Sequence, residues 1–301
     1  MLGAIGLTLT YKILNFANFA HGDILIFGAY IAFSVDGLMV DSLPQLFPIL
    51  ADPANDDLLR LIALFIAMIS AVFGAIGFAL LIDRILYRRL RRSASVVLVI
   101  ASFGMALFIR ALVQAVWGVA THTYSVRVTL PMYVDAFGIF QFRMTLLQLV
   151  TITTAFTLII LLHLFLRYTR TGKAMRAMSD NMDLARVSGI NTEKMIRWTW
   201  GIGSGLAAVA GVFAGLNLGG LTPIQGSDIL LYLFAAVILG GIGSPYGAML
   251  GALVIGIAQT ILIAPVTTIS SQYKPGIAFL LLIIMLLVRP QGLLGSAGRK
   301  G

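Results

Sequence analysis

The chain has 301 residues, of which 59% are hydrophobic and 11% charged, and its mean hydropathy is +0.97. So few charged groups do not coat a water-soluble globule of this length, so the chain reads as a polytopic membrane protein. The net charge of +9 is scattered over the ends of apolar runs, which argues for positive-inside orientation and against nucleic acid as a partner.

The apolar runs are helix-length rather than short alternating segments, so the expected fold class is an all-α bundle, not a β-barrel. In chain order they cover Leu2 to Leu14, Ile24 to Val40, Leu61 to Ile82, Ser95 to Val116, Met144 to Leu166, Trp198 to Leu216, Leu230 to Leu239, Ala248 to Ile263 and Gly276 to Val288. Several are shorter than a full span, which sets the expected count at about eight transmembrane helices in one domain, 1–301. No basic flank or small-residue cleavage site marks a signal peptide. Met1 opens directly on an apolar run, so the first helix is expected to be short and partly re-entrant, or the chain to begin late.

The first break holds Asn18, Phe19, His21, Gly22 and Asp23. Polar groups at membrane depth need internal partners or water, so these five are candidates for a gate or a lining of a solute path. A hydrogen-bonded turn at the cytoplasmic surface, with His21 capping backbone carbonyls, accounts for them equally well. No serine, cysteine or carboxylate constellation accompanies His21, so no catalytic residue is assigned. Cysteine is absent and the three histidines are far apart, so no metal site or cofactor is expected.

The loop 83–93 carries Arg84, Arg88, Arg89, Arg91 and Arg92 and is expected in the cytoplasm. Alternation from there puts 116–143 outside, 167–198 inside, 219–228 outside and the tail with Arg289, Arg299 and Lys300 inside. Asp36, Asp41, Asp52, Asp56, Asp57, Asp135 and Asp228 then fall on the outer side. Arg110 alone lies well inside an apolar run, where pairing with carbonyls or snorkelling is expected. Glycines at four-residue spacing, namely Gly201 and Gly205, then Gly211, Gly215 and Gly219, then Gly243, Gly247 and Gly251, fit close helix packing in lipid. Gly240 to Gly247 breaks helix geometry, as a cytoplasmic turn or as an unwound stretch lining a path.

The most informative segment is the charged island 167–198. It holds Arg167, Arg170, Lys173, Arg176, Arg186, Lys194 and Arg197 against Asp180, Asp183 and Glu193. One helix is expected to open near Thr171 and run through Arg186 to a stop at Gly189, with Asn191 capping the next. Ala174, Ala177, Met178, Leu184 and Ala185 form a small apolar face on it. Such a helix suits a groove on a soluble partner with an acidic rim; lying on anionic lipid is the alternative.

Asn18-Phe19-Ala20-His21-Gly22, then Gly172, Arg176-Ala177, Asn181, Ala185 and Gly189-Ile190-Asn191, then Leu239-Gly240-Gly241-Ile242-Gly243-Ser244, resembles the LivH-type permeases of branched-chain amino acid ABC importers. The three motifs stand in the family's order over almost the whole chain. Lys12 and the abrupt start depart from the common pattern. The resemblance implies a non-catalytic permease of a bacterial or archaeal plasma membrane, moving branched-chain or other neutral amino acids, urea or short amides. It implies as partners two ATP-binding subunits, a second related permease and an extracytoplasmic solute-binding protein, besides membrane lipid. It also implies that Gly172, Lys173, Arg176, Ala177, Asn181, Ala185 and Gly189 couple the permease to an ATPase. No Gly-x-x-x-x-Gly-Lys-Ser/Thr occurs in the chain, so ATP is handled by a partner. The competing class is an ion-coupled secondary transporter, which needs ionisable groups inside the membrane core.

Overall fold

A computed structural model describes all residues except 53–54, 127–131, 137–139, 264–273, 290 and 295–301. Arg299 and Lys300 therefore lie outside the described residues. The chain runs α1 (Leu2–Leu14), α2 (His21–Leu46), a short 3-10 turn (Pro48–Ala51), α3 (Asp56–Ile82), a π-helical turn (Asp83–Tyr87), α4 (Arg88–Leu90) and α5 (Ser95–Trp117). It continues through β1 (Met132–Ala136), β2 (Phe140–Met144), α6 (Leu146–Tyr168), α7 (Arg170–Asp180), α8 (Met182–Val187), α9 (Thr192–Leu218), α10 (Gln225–Gly240), α11 (Pro245–Ile263) and α12 (Lys274–Val288).

Among the described residues, five helical stretches are long and apolar enough to cross a bilayer, and six if the bent pair α10 and α11 is one span. The chain is thus a helical polytopic membrane protein. α1 and α12, with 13 and 15 residues, fall short of the roughly 20 that a spanning helix needs. The antiparallel hairpin β1–β2 is an addition that apolar run length could not reveal, because Asp135 and Arg143 sit within it.

Two helices extend beyond the apolar runs that announced them. α2 starts at His21 rather than Ile24, because His21 and Asp23 find partners inside the bundle and need not break the helix. The basic loop 83–93 is largely helical through Leu90. Arg91 holds it there, with Nη2 donating to both Asp83 oxygens at 2.7 and 2.6 Å and Nη1 donating to Glu193 at 2.5 Å. Arg88 adds a looser pair to Glu193 at 3.6 Å. The ends of α3 and α9 are tied together by these ions at the basic end of the bundle.

Of the glycine rows, Gly211, Gly247 and Gly251 sit where helices meet at backbone distance, whereas Gly201 and Gly205 make only ordinary contacts and Gly219 none. A side-chain carbon at Gly211 would strike the Leu25 carbonyl, one at Gly247 the Gly240 carbonyl and one at Gly251 the Ala236 carbonyl. These contacts hold α9 on α2 and α11 on α10 at backbone distance. Gly241 and Gly243 have φ 106° and 84°, which a non-glycine residue would adopt only with strain, and they let the chain reverse by 117° between α10 and α11. Residues after α12 cover this turn, where Leu293 and Leu294 amides donate to the Leu239 and Gly240 carbonyls at 2.9 Å each.

At the opposite end, Asp36 accepts from the Ser125 amide at 2.7 Å, Tyr124 donates to the Ala29 carbonyl at 2.9 Å, and His122 and Leu221 exchange backbone hydrogen bonds. The core runs along α1, α2, α3, α9 and α10. α6 is different, since Leu166 is its one buried residue.

Candidate functional site

Asn15 sits at φ 56° and ends α1 by donating its amide to the Tyr11 carbonyl at 2.9 Å. The chain then passes through an irregular stretch before α2 begins, an arrangement that membrane proteins tolerate where the backbone is buried in protein. Each candidate residue in this break turns to a different neighbour. Asn18 accepts from the Ala20 amide at 3.1 Å and from the Tyr87 hydroxyl at 3.3 Å, while its buried Nδ2 has no hydrogen-bond partner among the described residues. The Phe19 amide donates to Ser102 at 3.1 Å, and its ring lies against Phe234 and Phe103 at 5.2 and 6.4 Å.

His21 is 1% exposed, and its Nε2 lies 3.0 Å from the Gly3 carbonyl. A carbonyl only accepts, so Nε2 carries the proton. A side-chain carbon at Gly6 would come within 3.1 Å of the His21 ring and 2.7 Å of the Gly203 carbonyl, so the histidine fits because Gly6 has no side chain. Gly22 lets α2 cross α10 at Gly226, where backbones meet.

Asp23 binds Arg110, with Nε to Oδ1 at 3.2 Å and Nη2 to Oδ2 at 3.3 Å. The aspartate side chain is 3% exposed and the arginine side chain 22%. Arg110 thus neither snorkels nor rests on carbonyls. A snorkelling arginine reaches for water, whereas here a buried carboxylate stands within reach and neutralises it. The five candidates are brought together as a junction of α1, the π-helical turn after α3, α5 and α10 around one helix start, and none of them lines either of the two cavities.

In the island, Thr169 caps α7 by accepting from the Gly172 amide at 2.9 Å, Asn181 caps α8 by accepting from Leu184 at 2.9 Å, and Asn191 caps α9 by accepting from Lys194 at 3.0 Å. The single helix expected here is two. Asn181, with φ −156° and ψ 108°, is extended, and its side chain satisfies the new helix start at the cost of the old helix. Gly189 at φ 83° ends α8 as expected.

Gly172, Met175, Met178 and Ala185 turn inward. Gly172 is small because α7 folds back onto the Phe165 and Leu166 backbone. Lys173, Arg176, Ala177, Asn181 and Gly189 face outward, joined by Leu184 at 64% and Val187 at 86% exposure. The expected apolar face is therefore split, with Met178 and Ala185 inside, Ala177 and Leu184 outside and Ala174 between. A second cavity, of about 840 Å³, lies beside α7 and is bordered by Lys12, Arg167, Arg176, Ser244 and Tyr246.

Sequence reading missed Tyr87, Ser102 and Gly6 as the supports of the break. The small residues Gly3 and Gly6, one turn apart, were the available signal for a close partner of α1.

The family model for the permease component of branched-chain amino acid transport systems matches residues 1–286. This chain belongs to that family. It is 33% identical to the high-affinity branched-chain amino acid transport system permease protein LivH of Salmonella typhimurium, over 97% of this chain and 90% of the relative. To the corresponding protein BraD of Pseudomonas aeruginosa it is 34% identical, again over 97% and 90%. A probable LivH permease of Methanocaldococcus jannaschii is 32% identical over 100% of this chain and 90% of the relative. No solved structure matches the chain. The permease is thus an integral protein of the plasma membrane and a transmembrane component of a transport system.

Proposed function

We propose that this permease is a subunit of an ATP-binding cassette importer that moves branched-chain or other neutral amino acids into the cell. It would work with a second related permease, two ATPases and a solute-binding protein, and would carry no chemistry of its own. The observation that carries this reading is the pair α7 and α8, capped at both starts and set between the membrane helices α6 and α9. It presents Lys173, Arg176, Ala177, Leu184 and Val187 outward. Exposed apolar residues among cations suit a groove with an acidic rim, and a rigid pair between two spans carries a push from a partner into the bundle.

The names of the relatives support branched-chain amino acids as cargo; urea and short amides remain within the same reading. Counting α1, α12 and the bent pair as membrane elements gives the eight helices of the proposed bundle, with the island and the loop 83–93 in the cytoplasm. The junction at Asn18, His21 and Asp23 is proposed as the element that opens or closes the path.

An ion-coupled secondary transporter is the second reading, favoured by the buried carboxylate of Asp23. Its pairing with Arg110 leaves that carboxylate without a vacant charge for a coupling ion, which weakens this reading. Reconstitution decides between them. Vesicles holding the purified complex should accumulate leucine only with ATP and binding protein, and uptake driven by an ion gradient without ATP would overturn the proposal.

A further inference from the structure

α6 stands off from the bundle, and a groove of about 650 Å³ runs between it, α3 and α9. Its walls are apolar, formed by Val72, Ile76 and Leu80 on α3, by α6 from Leu158 to Phe165, and by α9 from Trp198 to Val209. Two cations stand at one end only, Lys194 and Arg197, one turn apart on the first turns of α9. Neither is in an ion pair among the described residues. Glu193 next to them is already held by Arg91 and Arg88.

We propose that this groove holds one acyl chain of an anionic phospholipid of the cytoplasmic leaflet, with its phosphate between Lys194 and Arg197. Three observations fit that occupant. From Trp198 to Val209 the helix rises about 16 Å, which matches the ~15 Å depth of one leaflet in a ~30 Å hydrocarbon core. Cations at a helix N-terminus oppose the macrodipole, and an anion seated there relieves both. Trp198, with its ring 5.7 Å from that of Phe165, stands at the mouth, where amphipathic rings favour the headgroup level.

The glycines of α9 point the same way. Gly211 is pressed against the Leu25 backbone and Gly203 against Thr10 and the Gly6 carbonyl, but a side-chain carbon at Gly201 or Gly205 would meet Ile76 or Val72 only at ordinary distances of 3.4 to 3.8 Å. Helix approach does not demand glycine at these two positions, and a larger side chain there would occupy the groove. A basic pocket between membrane helices with an apolar tail path is the composition that phosphate headgroups recognise. Bound there, the lipid would join α6 to α3 and α9 and so brace the two spans from which α7 and α8 hang.

The test is native mass spectrometry of the transporter purified with its partner subunits and stripped of loose lipid by detergent washing. Phosphatidylglycerol or phosphatidylcholine is then added back. The wild type should retain about one phosphatidylglycerol per permease chain through the wash. Lys194→Gln with Arg197→Gln should lower phosphatidylglycerol retention at least tenfold and leave phosphatidylcholine unchanged, whereas Gly205→Leu should lower both. A photoreactive residue at Leu162 should give a lipid adduct. Equal retention by the wild type and the double variant would overturn the site, and a protein adduct at Leu162 would mean that a subunit helix fills the groove instead. Leucine uptake and ATPase co-purification are measured on the same samples. Loss of lipid selectivity with wild-type uptake supports the site without touching the transport reading, while absent uptake in a lipid-loaded wild type faults that reading alone.

Discussion

His21 and Asp23 are two residues apart and serve different neighbours, so their substitutions should fail differently. His21 gives one hydrogen bond to the Gly3 carbonyl. With His21→Ala that carbonyl keeps its place in the α1 ladder, so the loss is one hydrogen bond, about 0.5–1.5 kcal/mol, together with the buried packing of the ring. If the junction moves during transport, uptake should fall severalfold while the permease still assembles with its ATPase, and His21→Gln should recover part of the loss. Disappearance of folded protein in both variants would assign His21 to the scaffold. Asp23 neutralises Arg110, and breaking a buried pair from one side costs about 3–5 kcal/mol because the other charge is stranded. Asp23→Leu and Arg110→Leu should each lower the unfolding midpoint of the detergent-solubilised complex markedly. The double variant should sit well above the sum of the two losses, and strict additivity would remove the pair as a unit. From the sequence, the buried polar character of this stretch was legible because polar residues interrupt an apolar pattern. The partner of Arg110 was not legible, since Asp23 lies 87 positions away and its position in the break marked it as a turn residue.

At the scale of elements, the sequence showed where membrane helices begin and end to within a few residues wherever caps and apolar runs agree. It failed where packing overrides pattern. The break at Asn181 is one such place, because an asparagine in a helical run reads as a tolerated interior residue until its side chain is seen to cap α8. The inward turn of Gly172 is another, since its smallness lets α7 lie on the backbone at the end of α6. These placements narrow the proposed coupling surface to the outward residues. Ala177 is exposed and small, so Ala177→Arg should leave insertion and folding intact while placing a bulky cation at the proposed contact. Co-purified ATPase should fall at least tenfold, about 1.4 kcal/mol or more of binding, and uptake should fall with it. Unchanged ATPase yield together with normal uptake would remove α7 from the coupling surface. Gly172→Leu should behave differently, lowering the yield of folded permease itself, because the new side chain meets backbone at the end of α6.

Across the whole molecule, one charge asymmetry organises the reading. Arg84, Arg88, Arg89, Arg91 and Arg92, the island and Arg289 gather at one end of the bundle, and Asp36, Asp41, Asp52, Asp56, Asp57 and Asp228 at the other. Loop basic residues set orientation through the cytoplasmic retention of lysine and arginine, so the basic end is proposed to face the cytoplasm. That orientation underlies the proposed coupling surface and the proposed lipid groove alike, because both lie at this end. The chain has no cysteine, so single cysteines report cleanly. Arg92, Lys173 and Asp57 are exposed, whereas Arg91 is engaged with Asp83 and Glu193 and would confound a label with a broken ion network. In intact cells an impermeant thiol reagent should modify cysteine at Asp57 and spare cysteine at Arg92 and Lys173. In inside-out vesicles the pattern should reverse. Labelling of Lys173→Cys from outside would invert the bundle and place α7 and α8 where no ATPase could reach them, so the orientation is the measurement on which the rest of the mechanism depends.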